Sequence, residues 1–130
     1  MRSCGILMHI SSLPSPYGIG TFGAEAEKFA DWLKEAGQKY WQVLPIGPTG
    51  YGDSPYQPFS SFAGNPLLID LDELVEHGYL AKKSLDNSDY GADPSYVDFD
   101  IVNRHKTALL QEAFAGFTDD VGYTSFVIEE

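Results

Sequence analysis

Residues 40–66 read YWQVLPIGPTGYGDSPYQPFSSFAGNP. The stretch opens with Tyr40, Trp41 and Val43 in a short aromatic and β-branched run that Pro45 ends, the pattern of a buried strand. From 45 to 66 there are five prolines and four glycines, so regular structure stops. A connection this long is uncommon in a compact domain unless it serves a function. Tyr51, Tyr56, Phe59 and Phe62 argue against disorder, because rings left in water forfeit their hydrophobic burial. The loop is therefore expected to be packed and shaped.

Working outward towards the N-terminus, residues 4–10 (CGILMHI) give a second short apolar run bounded by Ser, Pro and Gly, again a buried strand. Residues 11–20 (SSLPSPYGIG) are turn-forming and predict a structured loop. Phe22, Ala26, Phe29, Ala30, Leu33 and Ala36 then share one face of a helix, with Glu25, Glu27, Lys28, Asp31, Lys34 and Glu35 mostly opposite and Gly37 as the stop. Strand, loop, helix, strand is the βαβ pattern, which implies a parallel pair joined by a right-handed crossover. Nearly continuous apolar strands suggest burial on both faces, so the fold class is α/β.

Towards the C-terminus, residues 67–70 suggest a short strand and residues 72–78 a short helix with acids in its first turn. A polar turn through 85–94 follows. A long helix is expected over about 100–117, with Val102, His105, Leu109, Ala113 and Phe117 along one stripe. Residues 123–130 end without a cap, glycine or proline, and the end at Glu130 reads as a cut in a longer protein.

Bulk properties narrow the function. The 130 residues hold 8 Lys plus Arg against 19 Asp plus Glu, for a formal charge of -11. Without a basic cluster there is no phosphate-neutralising surface for nucleic acid, and an acidic surface repels anionic lipid. Neutral substrates are not disfavoured. The apolar runs are far too short to span a bilayer, and no signal-peptide pattern opens the chain. Cys4, the one cysteine, fits a reducing compartment, so a cytoplasmic location is expected.

Several motifs have a bland reading that outweighs the sharp one. The glycines from Gly47 to Gly52 lack the Lys-Ser/Thr of a phosphate cradle and stand beside Asp53, an acid where a cation is wanted. Residues 86–91 (DNSDYG) depart from a calcium loop in carrying Tyr90 at the fifth position and Val97 at the twelfth, and read as a solvated turn. His9, His77 and His105 have no ligand spacing, so no metal site is expected. His9, at a strand end, is expected to be a hydrogen-bonded structural histidine. Asp70 and Asp72 form the one carboxylate pair of interest for glycoside chemistry, but Asp72 and Glu73 sit where a helix N-terminus favours acids. Asp53, with Ser54, Tyr51 and Tyr56 beside it, combines an acid, a hydroxyl and two phenols that can bond sugar hydroxyls while the rings cover their apolar faces. An Asx-type turn at residues 52–55 with buried tyrosines accounts for the same residues equally well.

Two stretches carry a resemblance to a known family. Residues 5–14 (GILMHISSLP) with 16–20 (PYGIG), and residues 40–57 (YWQVLPIGPTGYGDSPYQ) running on through 62–66 (FAGNP), resemble the 4-α-glucanotransferases (amylomaltase or disproportionating enzymes). The match is strong to about residue 80. It implies that the chain is the N-terminal fragment of a (β/α)8 TIM barrel. Residues 1–80 would contribute the first two parallel strands with their connecting helix and a long active-face loop, and residues 81–130 a mostly helical subdomain. It also implies transfer of α-1,4-glucan segments between maltooligosaccharides and glucose through a covalent glycosyl-enzyme intermediate. The family's nucleophile, acid/base and stabilising acid lie on later strands, so no catalytic residue maps here. Tyr56 and Ser54 map as sugar contacts beside the cleavage point, and Tyr51 as a residue that stacks on glucan further away. Asp53, Gln57 and Asn65 map as loop-shaping residues. No cofactor is implied. A chain complete at 130 residues would instead be a non-catalytic glucan-binding or interaction module.

Overall fold

A computed structural model describes residues 2–117 and 121–129. Strand β1 (Gly5–Leu7) and strand β2 (Tyr40–Gln42) pair in parallel, with Ile6 opposite Trp41. The pairing is extended at both ends, by Lys39 N donating to Cys4 O and by Met8 N donating to Gln42 O. Helix α1 (Ala24–Glu35) makes the crossover, with Glu25 and Glu27 in its first turn and Lys34 in its last, each favourable to the helix dipole. Gly37 takes φ +70°, the left-handed conformation that closes helices, and is the stop expected from sequence. The α/β character and the parallel pair are thus present.

Both strands are shorter than the apolar runs that predicted them, and they are not buried. Leu7 is 57% exposed and Tyr40 65%. Burial of a strand depends on what lies on its two faces, and among the described residues only part of one face is covered. Trp41 is half-buried, its indole Nε1 donating to Met8 O at 2.7 Å and its ring 4.8 Å from that of Phe29. On α1 the expected stripe narrows in the same way. Ala26 and Leu33 are buried and Phe29 half-buried, while Phe22, Ala30 and Ala36 face outward.

The run Leu67-Leu68-Ile69 forms no strand. Asn65 accepts a hydrogen bond from Leu67 N through Oδ1, and Pro66 fixes the next φ, so Pro66–Leu68 winds into one turn of 3-10 helix. Helix α2 (Leu71–Glu76) follows, capped by Asp70, whose Oδ1 accepts from Glu73 N at 3.1 Å. The same carboxylate accepts a short hydrogen bond from the buried Thr21 hydroxyl, and Asp72 accepts one from Tyr17 at 2.6 Å. The two carboxylates are therefore used in capping and cross-linking, and Asp72 and Glu73 stand in the first turn of α2, as the helix-terminus reading anticipated. Replacing Asp70 with alanine removes the cap and strands the Thr21 hydroxyl, with an expected loss of about 1.5 kcal/mol. Urea unfolding measures this, and a midpoint equal to wild type rejects the double role.

A short helix that the sequence reading missed, α3 (Lys82–Asp86), precedes the turn at 87–98. Helix α4 (Phe99–Ala115) begins at Asp98, whose Oδ1 accepts from Ile101 N, and matches the long helix expected there. Its buried face serves two clusters. Val102 joins Ile10, Leu13, Ile19, Ala26, Leu67 and Leu68, whereas Leu109 and Ala113 join Tyr17, Leu71, Leu80 and Leu85. The stripe predicted through His105 holds at Val102, Leu109 and Ala113, and it also contains a fully buried Lys106. Helix α5 (Val121–Glu129) is the last element, and Glu130 lies outside the described residues. No helix among the described residues is long and apolar enough to cross a membrane.

Candidate functional site

The long loop leaves β2 at its carboxyl end and returns to the 3-10 turn at Pro66. Its neck is closed by Asn65 N donating to Ile46 O at 2.8 Å. Inside the neck the backbone folds back on itself. A Cβ at Gly50 would collide with the Gln57 carbonyl oxygen, and one at Gly47 would touch Pro58 and the carbonyls of Ser60 and Ala63. Ser60 Oγ accepts from the amides of Phe62 (3.3 Å) and Ala63 (3.2 Å), stitching the far leg.

The tip is a single 3-10 turn, Tyr51–Asp53, kinked at Gly52. Gly52 and Asp53 have φ of 67° and 55° in succession. Asp53 is the one non-glycine residue with positive φ among the described residues, and a left-handed acid carries a modest local strain. Its amide donates to Gly50 O at 3.2 Å. The turn expected at Asp53 is built one residue later: Ser54 Oγ accepts from Tyr56 N at 3.3 Å. A serine hydroxyl can close such a turn as an Asx side chain does, and Asp53 is held by its backbone alone.

The loop is shaped by these backbone contacts, but its aromatic residues are not packed inside it as expected. Tyr51 is 93% exposed and Tyr56 67%, and Phe59 and Phe62 are exposed as well. Main-chain and Ser/Asn hydrogen bonds hold the loop without help from the rings, so the rings are free to point outward. Asp53 and Ser54 are half-buried between them. Among the described residues no hydrogen bond engages either phenol hydroxyl or the Asp53 carboxylate. Large apolar groups presented on a fixed backbone mark a contact surface.

His9 lies where β1 gives way to the 11–20 loop and differs from expectation. Its Nδ1 is buried without a hydrogen-bond partner among the described residues. Burial holds its pKa below the usual 6.5, so the neutral ring is favoured. A cleft of about 540 Å³ that sequence reasoning did not single out lies between residues 11–20 and 90–97, with Ser11, Ser15, Tyr90, Asp93 and Tyr96 in its walls. Its polar lining comes from segments that read only as turns, and proximity across about 75 positions leaves no local sequence signal. The 86–91 segment is a turn, with Asp89 Oδ1 accepting from Gly91 N. Among the described residues no three His, Cys, Asp or Glu side chains are grouped to hold a metal ion.

The family model described as 4-alpha-glucanotransferase matches residues 8–129. The chain belongs to the 4-alpha-glucanotransferase family. It is 53% identical over 118 residues to the 4-alpha-glucanotransferase of Thermus thermophilus, a match covering 91% of this chain and 23% of that protein. With the Clostridium butyricum 4-alpha-glucanotransferase it shares 48% identity over 125 residues, 95% of this chain and 26% of the other. Among solved structures, the amylomaltase from Streptococcus agalactiae in complex with acarbose superposes with a TM-score of 0.90 at 43% identity, covering 99% of this chain and 26% of that one. The chain thus spans about a quarter of the length of the 4-alpha-glucanotransferases it matches.

Proposed function

We propose that this chain is the N-terminal part of a cytoplasmic enzyme that transfers α-1,4-glucan segments between maltooligosaccharides and glucose, by retaining double displacement on carboxylates supplied by residues outside it. The lone cysteine supports the reducing compartment. In this reading β1, α1 and β2 open a (β/α)8 barrel within residues 1–80, and residues 81–130 begin a helical subdomain. The parallel pair with its crossover helix supports that reading. So does the position of the loop at the carboxyl end of β2, the side on which barrels carry their active sites. The outward apolar sides of β1 and β2 are the surfaces that further strands and helices would cover.

One observation carries the site assignment: loop 45–66 has a backbone fixed by internal hydrogen bonds and phenol rings left exposed. A pyranose offers apolar C–H faces and a rim of hydroxyls, so rings with free hydroxyls suit it on both counts. Tyr56 and Ser54 are assigned to the sugar beside the scissile bond and Tyr51 to stacking on glucan further out. Asp53, held left-handed at the tip, is assigned to a sugar hydroxyl. That the related Streptococcus agalactiae amylomaltase was solved with acarbose supports a carbohydrate ligand.

Tyr56→Phe in the whole protein tests the assignment. The change keeps the ring and removes one hydroxyl, so kcat/KM for maltotriose disproportionation should fall about five- to tenfold, the size of one hydrogen bond made in the transition state. Kinetics equal to wild type remove Tyr56 from the site.

A further inference from the structure

Lys106 is the one charged side chain in the buried stripe of α4, between Val102 and Leu109, and it is fully buried. A buried ammonium loses its hydration, and an apolar residue of similar volume commonly serves packing as well or better. Packing alone therefore gives no reason for a lysine here. Its Nζ donates to the Leu67 carbonyl oxygen at 2.7 Å, across 39 positions of sequence.

Leu67 lies in the 3-10 turn on which loop 45–66 ends. That turn is tied from three directions. Asn65 Oδ1 accepts from Leu67 N, Phe22 N donates to Leu68 O at 2.9 Å, and Lys106 reaches Leu67 O from α4. The residue immediately before the turn, Asn65, closes the loop neck on Ile46. Among the described residues the loop tip makes no comparable hydrogen bond to a helix, so its placement is inherited from the neck. Of the three ties, Lys106 alone comes from a side chain of the long helix, whose neighbouring turns are set in both core clusters. Burial lowers the Lys106 pKa, and the charge of Asp70, three residues beyond Leu67, offsets part of that shift.

We infer that Lys106 is a positioning residue that holds the glucan-facing loop 45–66 in place by bonding the Leu67 carbonyl from α4. This rests on the assignment of that loop to the glucan. The lysine touches no substrate and acts through the loop.

The test is Lys106→Met in the whole protein, which keeps the length and apolar stem and removes the donor. Amide exchange within residues 46–67 should quicken at least about fivefold, as expected for the loss of one net hydrogen bond at the anchor. KM for maltotriose should rise by a similar factor with kcat changed less than about twofold, the signature of lost binding contacts. Lys106→Gln, which retains a neutral donor, should recover part of the KM change. Leu109→Ala, three positions along the same stripe, should lower overall stability and leave KM alone. Unchanged loop exchange in Lys106→Met overturns the anchoring role whatever KM does. Faster loop exchange with unchanged KM overturns the link to substrate and points to failure of the loop assignment itself, which Tyr56→Phe judges separately. A KM rise in Leu109→Ala equal to that in Lys106→Met reduces Lys106 to a core residue. If Lys106→Met does not fold, the exchange and KM of Lys106→Gln decide the matter in the same way.

Discussion

Gly20→Ala is expected to destabilise the protein by about 3 kcal/mol or more, at the top of the range for overpacked sites. Gly20 is buried, and a Cβ there would overlap the Ile10 carbonyl oxygen and crowd Leu13 N (2.8 Å) and Leu13 O (2.9 Å). All three are backbone atoms, so no side-chain rotation relieves the clash. The amide of Gly20 also donates to Ser11 O, which closes the 11–20 loop on itself. Moving it displaces Ile10, Leu13 and Ile19, each buried in the cluster that backs the end of loop 45–66. Gly64→Ala is the control. Gly64 has open space where a Cβ would go and no positive φ, so alanine there should be neutral or slightly stabilising through the unfolded chain. Urea unfolding of both variants decides. A Gly20→Ala midpoint close to that of Gly64→Ala rejects the close approach.

The parts of the fold legible in the sequence were those set by local periodicity and by residues with a single conformational use. Helix α1 was readable from its apolar spacing and from Gly37. The β1–α1–β2 order followed from two apolar runs flanking that helix. The long loop declared itself through its prolines and glycines. What failed depended on partners. Leu67-Leu68-Ile69 has strand composition, but Asn65 and Pro66 just ahead of it start a helical turn. Helix α3 is mostly polar and rests on the single buried Leu85, too little for a periodic signal. The strands read as buried because their residues are apolar, whereas burial needs covering surfaces, and the described residues cover only part of one face. The candidate site residues were drawn mainly from the family resemblance. Composition alone balanced a sugar contact at Asp53 against an Asx turn, and the structure gives the turn to Ser54 and leaves the tyrosines outside. Lys106 was invisible because lysine is read as a surface residue by default. Only the fold shows the carbonyl it serves.

Between pH 7 and about 9.5 the protein should gain roughly 2 kcal/mol of stability, and Lys106→Met should abolish that gain. Burial lowers the Lys106 pKa from the ordinary 10.5 to about 8, with Asp70 pulling weakly the other way. Below about pH 8 both the folded and the unfolded chain carry the proton, and the folded state bears the full cost of a buried ammonium. Between about 8 and 10.5 the unfolded chain holds the proton while the folded chain has released it. The unfolded state then binds more protons, so stability rises with pH across that window. Other groups do not mask it. The lowered pKa of His9 acts near and below 6.5, so its contribution is complete before the window opens. Tyr17 and Tyr90 are shifted upward from 10, chiefly by burial and, for Tyr17, also by its hydrogen bond to Asp72. Their folded forms keep protons that the unfolded chain loses, which lowers stability only above about pH 10. The expected profile rises from pH 8, peaks near pH 10 and then falls. Lys106→Met should retain the fall and lose the rise. The neutral amine still donates to Leu67 O, so the loop anchor survives deprotonation and KM should change little across the same window. Urea midpoints at half-unit intervals of pH, on wild type and Lys106→Met, measure the effect. Parallel profiles for the two proteins would show that the ammonium is not held in a low-dielectric site.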